Sequence, residues 1–406
     1  MADILFIHNN YPGQFGFIAD ALVKAGHRCV AIASRTGRAT EGVELRTWHT
    51  NRGSTPGILR EATRIEADLI RGRGAAGAAI TLRDEGFHPA VIIGHPGWGE
   101  TTYMREIFPQ ARQIAYAEYY YHLRGGDVGF DPEFADNLFD MPEAMYAKNA
   151  GMALAFSEAD AIVAPTPFQA SMLPRGFCDR TQIIHEGIDT DAIAPHEGVQ
   201  LRLGDGTLLD RTKPVVTFIN RRFEPLRGCH IFFRALPKFL AAVPDAHVIL
   251  IGADEPGGYG RPSDVGINWG QRFLDEIAGR VDRSRLHFTG RVPHETMLSA
   301  LAVSSAHVYY TYPFVLSWSA LEALSSGCLV VGSDTAPVRD AITNGKNGIL
   351  LDFFDVEALS DTLIDTCRDN GRFDHMRAAA RKSIVERYDQ KRQCLPSWLK
   401  LIDGLL

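Results

Sequence analysis

Several things are missing from this 406-residue chain, and each absence narrows what it can be. No apolar run approaches the ~18 residues needed to cross a bilayer, so no membrane span is expected. The opening MADILFIHNN has a short apolar run but no basic stretch before it and no small-residue cleavage site, which argues against a secretory leader. The six cysteines are scattered and form no C-x-x-C pair, so neither structural zinc nor a disulfide framework is expected. Isolated thiols of this kind fit a reducing, cytoplasmic setting. Positive charge is also lacking: 42 Lys and Arg stand against 49 Asp and Glu, a net charge of −7, and no segment is strongly basic. A nucleic-acid partner therefore has no electrostatic support. Repeats of solenoid period and low-complexity tracts are absent too.

What is present is an ordinary globular composition, 45% hydrophobic and 22% charged, long enough for two or three domains. Short apolar runs alternate with stretches of helical period. ILFIH at 4–8, CVAIA at 29–33, VIIG at 91–94, QIAYA at 113–117 and AIVA at 161–164 predict buried strands. The rhythm breaks at 196–213, a polar, glycine-containing stretch that reads as a linker. It restarts with VVTFI at 215–219, HVILI at 247–251, LHFTG at 286–290, HVYYT at 307–311 and CLVVGS at 328–333. Two successive α/β units predict two Rossmann-like domains, each with a doubly wound parallel sheet. A Gly- and Pro-rich loop at 252–268 has the length of a functional or mobile segment.

In such sheets ligands bind at the carboxyl ends of strands, near helix N-termini. Three stretches qualify. NNYPGQFG follows the first strand, with Gly13 placed for close backbone approach to an anion. It lacks the full G-x-G-x-x-G spacing, and no acidic residue closes the next strand, which disfavours a nicotinamide enzyme. NRRFEPLRG puts Arg221, Arg222 and Arg227 in one strand-to-helix loop, where guanidiniums suit a phosphate. YPFVLSWSALEALSSG offers Ser317 and Ser319 at a helix start, with Glu322 among apolar neighbours and in need of a hydrogen-bonding partner.

NRRFEPLRG, the later TYPFVLSWSALEALSSGCLVVGSDTAPVRDAI and the earlier IIHEGIDT together resemble the retaining glycosyltransferases of family 4. That resemblance implies the GT-B fold, two Rossmann-like domains facing across a cleft, with the sugar nucleotide held mostly by the second and the acceptor mostly by the first. It places an N-terminal domain at 1–195, a nucleotide-sugar domain at 214–384, and a tail at 385–406 crossing back to the first. By resemblance, Arg222 and Arg227 hold the donor diphosphate and stabilise the departing charge, and Glu322 binds the ribose. Ser317, Trp318 and Ser319 lie over the donor sugar and phosphate, Arg291 and Val292 lie near the base, and Gly13 closes on the phosphates. Two departures stand out. The first glutamate of the family's E-x7-E falls on Phe314, and the histidine of the first domain falls on Glu118, in AYAEYYYHL.

Glu118 is accordingly a candidate catalytic carboxylate with Arg222 and Arg227, and His95, Tyr119 and His122 are candidates on the acceptor side. Asp189-Thr190-Asp191 spells D-x-D but sits at the domain junction, so no metal ligand is assigned and no cofactor is expected. The basic positions Arg60, Arg64, Arg71 and Arg73 are interleaved with acids and read as a solvated helix face. The expected activity is metal-independent transfer of a sugar from a UDP- or GDP-linked donor to a glycan, glycolipid or other hydroxyl acceptor. At most peripheral membrane contact is expected. The rival readings are a sugar-nucleotide epimerase of similar fold and a degenerate, non-catalytic sugar- or nucleotide-binding protein.

Overall fold

A strand buried on both faces needs a near-continuous apolar run, and the chain supplies such runs at nearly every central strand position. The computed structural model describes residues 1–135, 141–256 and 268–406. The chain folds into two units: Met1–Arg124, Asn137–Gly187 and Lys391–Leu406 form one, and Gly125–Asp136 with Ile188–Gln390 form the other. Most of the loop 252–268 lies outside the described residues.

The first unit is built on β1 (Asp3–Ile7), β2 (Arg28–Ala33), β3 (Val43–Thr47), β4 (Val91–Gly94), β5 (Arg112–Tyr116), β6 (Ala161–Ala164) and β7 (Thr181–Ile183). They form one parallel sheet in the order β3-β2-β1-β4-β5-β6-β7. In the second unit, residues 196–213 are not a bare linker. They contain an antiparallel hairpin of β8 (Leu201–Arg202) and β9 (Leu208–Leu209), whose Leu201, Leu203 and Leu209 are buried in the core. The main sheet there holds β10 (Val215–Arg222), β11 (His247–Ala253), β12 (Leu286–Gly290), β13 (Ala306–Tyr309), β14 (Val330–Ser333) and β15 (Ile349–Leu351). Its order is β12-β11-β10-β13-β14-β15, again parallel throughout. Both sheets thus follow the doubly wound plan. Their topological switch points lie between β1 and β4 and between β10 and β13.

The C-terminal helix Leu395–Asp403 belongs to the first unit because of its apolar stripe. Trp398, Leu401 and Ile402 recur at helical spacing and are buried in a core with Ile4, Phe6, Phe15 and Tyr116. The Trp398 indole is fully buried and stacks on the Tyr116 ring at 6.4 Å and 24°.

The helix Arg60–Asp84 departs from the expected solvated face. Arg64 donates to the Gly97 carbonyl at 2.5 Å and Arg71 to the Trp98 carbonyl at 2.8 Å. Both also pair with Asp68, at 3.2 and 2.6 Å, and Asp68 is itself buried. These arginines therefore brace the turn Pro96–Trp98 that follows β4. At Gly99 (φ +93°) a Cβ would lie 2.3 Å from the Asp68 carbonyl oxygen, so only glycine lets helix and turn close. Glu100 follows, fully buried, and neither carboxylate oxygen has a hydrogen-bond partner among the described residues. Burial pushes its carboxyl up to about 7, against the pull of Arg71.

Two stability measurements follow. Trp398→Ala should cost the first unit about 3–5 kcal/mol through the cavity it leaves, and Trp398→Phe clearly less, read as shifts in urea unfolding. For Glu100, the folded carboxyl titrates above its ordinary 4.5. The buried neutral form is therefore favoured below that pH, and its advantage disappears as pH rises to about 7. Glu100→Gln stays neutral throughout. Its stability relative to the parent should climb by up to about 3 kcal/mol between pH 4.5 and 8, and a gap that does not change with pH would contradict the buried acid.

Candidate functional site

In the second unit the chain winds outward in both directions from β10 and β13, so loops leaving these two strands flank the crevice at their carboxyl ends. Arg227 enters from the turn Pro225–Arg227 just after β10. Its side chain is buried, and Nη1 donates to Tyr309 Oη (3.2 Å), Thr311 Oγ1 (3.0 Å) and the Val315 carbonyl (3.2 Å). All three acceptors are neutral. Among the described residues no carboxylate lies within ion-pair distance of this guanidinium, and none accepts from its Nε or Nη2. The guanidinium lies 5.7 Å from the centroid of Phe314, the residue standing where the resemblance places a glutamate. An aromatic face thus lies beside the cation, where it offers a weak electrostatic contact.

Tyr309, the last residue of β13, couples this arginine to the next helix. Its hydroxyl accepts from the Ser317 amide at 2.7 Å as well as from Arg227. Ser317 caps the helix Trp318–Ser325, accepting from the Ser319 amide at 3.2 Å, and the two serine hydroxyls meet at 2.8 Å. The amides of Ser317 and Ser319 therefore both have protein partners. Trp318 is 46% exposed. Glu322, one turn further on, finds a hydrogen-bonding partner in His294, with Oε1 2.9 Å from Nε2.

Arg222, at the end of β10, pairs with Glu255 at 2.9 Å, and Arg291 pairs with the same carboxylate oxygen. Arg222 Nε is buried and has no partner among the described residues. Val292 packs against the core and lines a cavity of about 620 Å³ with Ile249, Ile251, Leu286 and Ala300.

The D-x-D triplet is structural. Asp189 Oδ1 accepts from the Asp191 and Ala192 amides at 3.2 and 3.3 Å, and Thr190 donates to buried Asp389. Arg381 donates to the Thr190 and Ile193 carbonyls, each at 2.7 Å. The triplet thus knits 188–193 to 388–390, where Ile188 and Asp389 form a parallel bridge. Among the described residues no group of three or more His, Cys, Asp or Glu is arranged to hold a metal ion.

In the first unit the loops after β1, β4 and β5 bring four polar side chains together. His8 Nε2 meets Gln14 Oε1 at 2.8 Å, Gln14 Nε2 donates to Glu118 Oε1 at 2.9 Å, and His95 Nε2 meets Glu118 Oε2 at 3.3 Å. The Asn10 and Gly97 amides donate to Nδ1 of His8 and His95 respectively. Each imidazole therefore carries its proton on Nε2, aimed at Gln14 or Glu118. Burial and the neighbouring His95 push His8 down to about 3, so it is neutral at physiological pH. Burial opposes ionisation of Glu118, but the His95 and Gln14 hydrogen bonds outweigh it and hold the carboxyl below its ordinary range. Trp98 packs on both rings, 4.4 Å from His95 and 5.2 Å from His8.

Gly13 (φ +48°) joins this cluster for a reason the sequence did not reveal: a Cβ there would lie 2.5 Å from the His8 ring. Tyr119 and His122 do not join it. Tyr119 is buried, its ring 5.0 Å from Tyr121 and 6.4 Å from Phe168. His122 Nε2 bonds the Met172 carbonyl at 2.6 Å. Tyr120 instead lines a groove of about 580 Å³ with Ile65, Tyr146 and Ala150. Sequence reasoning missed His8, Gln14, Tyr309, Glu255 and His294. His8 and Tyr309, polar residues at strand carboxyl ends, carried a usable signal; Gln14 and Glu255, in turns and loops after strands, and His294, the first residue of the helix His294–Val303, carried none.

Residues 25–193 match the family described as glycosyl transferase family 4 group, and residues 205–383 match glycosyl transferases group 1. Among curated proteins, the phosphatidyl-myo-inositol mannosyltransferase of Mycolicibacterium smegmatis is 29% identical over 218 residues, 50% of each chain. The D-inositol 3-phosphate glycosyltransferase of Rhodococcus jostii is 24% identical over 273 residues, 66% of this chain and 56% of that one. The chain thus spans about half the length of the curated relatives it matches. Sucrose-phosphate synthase from Thermosynechococcus elongatus superposes with a TM-score of 0.74 at 15% identity, covering 100% of this chain and 99% of its own. Anabaena HepE, solved with UDP and glucose, gives 0.68 at 14% identity, with 100% of both chains covered. At such identities these two structures establish the fold, GT-B. With a matching family description over each half and this fold throughout, the chain belongs to the family 4, group 1 glycosyltransferases.

Proposed function

We infer that the protein moves a sugar from a nucleoside-diphosphate donor to a hydroxyl acceptor, with retention of anomeric configuration. The observation that carries this reading is Arg227, a buried guanidinium with only neutral partners among the described residues. A buried, uncompensated cation is costly, and an anionic ligand removes the cost. The donor's diphosphate is that anion, and charge developing on it as the sugar departs strengthens the same contact. Arg222 is the second phosphate contact, with Ser317, Trp318 and Ser319 beside it. Glu322 holds the ribose, and Arg291 and Val292 face the base. Solved relatives support the class of donor: HepE is described with UDP and with UDP-glucose, and starch synthase IV of Arabidopsis thaliana with ADP and acarbose.

In the first unit, ionised Glu118 accepts hydrogen bonds from sugar or acceptor hydroxyls, and His95 orients it. A carboxyl held below its ordinary range is a weak base at neutral pH, so acceptor deprotonation falls to the leaving phosphate. Gly13 keeps the His8–Gln14 side of the cluster closed. The acceptor's remaining surface is offered the groove lined by Ile65, Tyr120 and Tyr146. Charge neutralisation by arginines makes the transfer metal-independent.

Arg222→Ala and Arg227→Ala should each weaken UDP and GDP binding about 10- to 100-fold, the worth of a charge-assisted hydrogen bond of roughly 1.5–3 kcal/mol. Calorimetric titration of folded variants checks this, and unchanged affinity in both would remove the diphosphate assignment. Donor turnover should survive EDTA; activity lost to the chelator and restored by Mg²⁺ or Mn²⁺ would overturn metal independence.

A further inference from the structure

Arg222 and Arg291 meet at a carboxylate the chain itself supplies. Glu255, two residues past β11, places one oxygen, Oε1, against a terminal nitrogen of both guanidiniums. This is poor use of two arginine forks. Guanidinium pairs most strongly with two oxygens at once, and here a single oxygen serves two cations. Arg222 Nε stays buried without an acceptor among the described residues. The pair is also a weak structural tie, because the Glu255 and Arg291 side chains are 40% and 61% exposed. A diphosphate carries more oxygens and more charge than one carboxylate, and could satisfy the donors that Glu255 leaves idle.

Resting on the donor-diphosphate reading of Arg222, we propose that Glu255 is an internal competitor for the donor. Its carboxylate holds Arg222 and Arg291 while the site is free of nucleotide, is displaced when a diphosphate arrives, and returns as the product leaves. Glu255 thereby sets donor affinity without touching the reacting atoms, weakening diphosphate binding and easing release.

The test is calorimetric titration of the full chain with inorganic pyrophosphate, UDP and GDP. Glu255→Gln and Glu255→Ala should each bind all three about tenfold more tightly than the parent, since the ligand no longer displaces a charged rival. The gain should vanish when Arg222→Ala is added. A merely structural Glu255 would leave affinity unchanged or weaken it, and either result overturns the proposal. Arg222→Ala alone separates the two readings. If it weakens pyrophosphate binding while the Glu255 variants gain nothing, only the competitor role falls. If it leaves binding unchanged, Arg222 is not a diphosphate contact, and the competitor role falls with it.

Discussion

A guanidinium taken out of water must find negative charge or remain a standing cost, and the second unit is arranged around that requirement at Arg227. The acceptors that hold its Nη1 all come from the stretch between Tyr309 and Val315, beginning at the end of β13. They fix its position without neutralising it. The same Tyr309 hydroxyl binds the Ser317 amide, so the arginine and the start of the helix Trp318–Ser325 are positioned by one group. Phe314 lies beside the cation, and its ring offers only a weak electrostatic contact. The outcome is a cation kept poised for an anion from outside.

The first unit repeats the sheet plan but answers it with different chemistry. Its loops gather His8, Gln14, His95 and Glu118, and two backbone amides decide which nitrogen of each imidazole carries the proton. The proton on His95 Nε2 then stabilises the charge on Glu118. This order depends on a turn that is itself pinned from below. Arg64 and Arg71 grip the Gly97 and Trp98 carbonyls, and Gly99 lets the helix Arg60–Asp84 approach closely. Residues outside the cluster thus set the orientation of those within it.

Charge placement separates the units as well. Arginines that look alike along the chain have different tasks: Arg64 and Arg71 satisfy backbone carbonyls and Asp68, Arg381 ties the 188–193 turn to the core, and Arg227 alone among these is buried against neutral acceptors. Composition cannot distinguish these roles. Only the partners of each guanidinium do.

The sequence by itself determined the two-unit α/β architecture, because central parallel strands are buried on both faces and must be written as unbroken apolar runs. It missed β3, β7 and β15, each the edge strand of its sheet. VELRT, TQI and ILL are half-exposed or short there, so neither an apolar run nor a clear alternation marks them. It singled out Arg222, Arg227 and Glu322 as candidates because they sit where strands hand over to loops or among apolar neighbours, and Glu118 through the family resemblance. Tertiary structure alone decided what those residues face. Glu255 is 33 positions from Arg222 in the chain, and Gln14 is 104 from Glu118. It also decided that Gly13 is glycine on account of His8, and that Asp189 caps a turn. Local pattern records how each segment is buried; partners distant in sequence meet only once the strands have taken their order in the sheet.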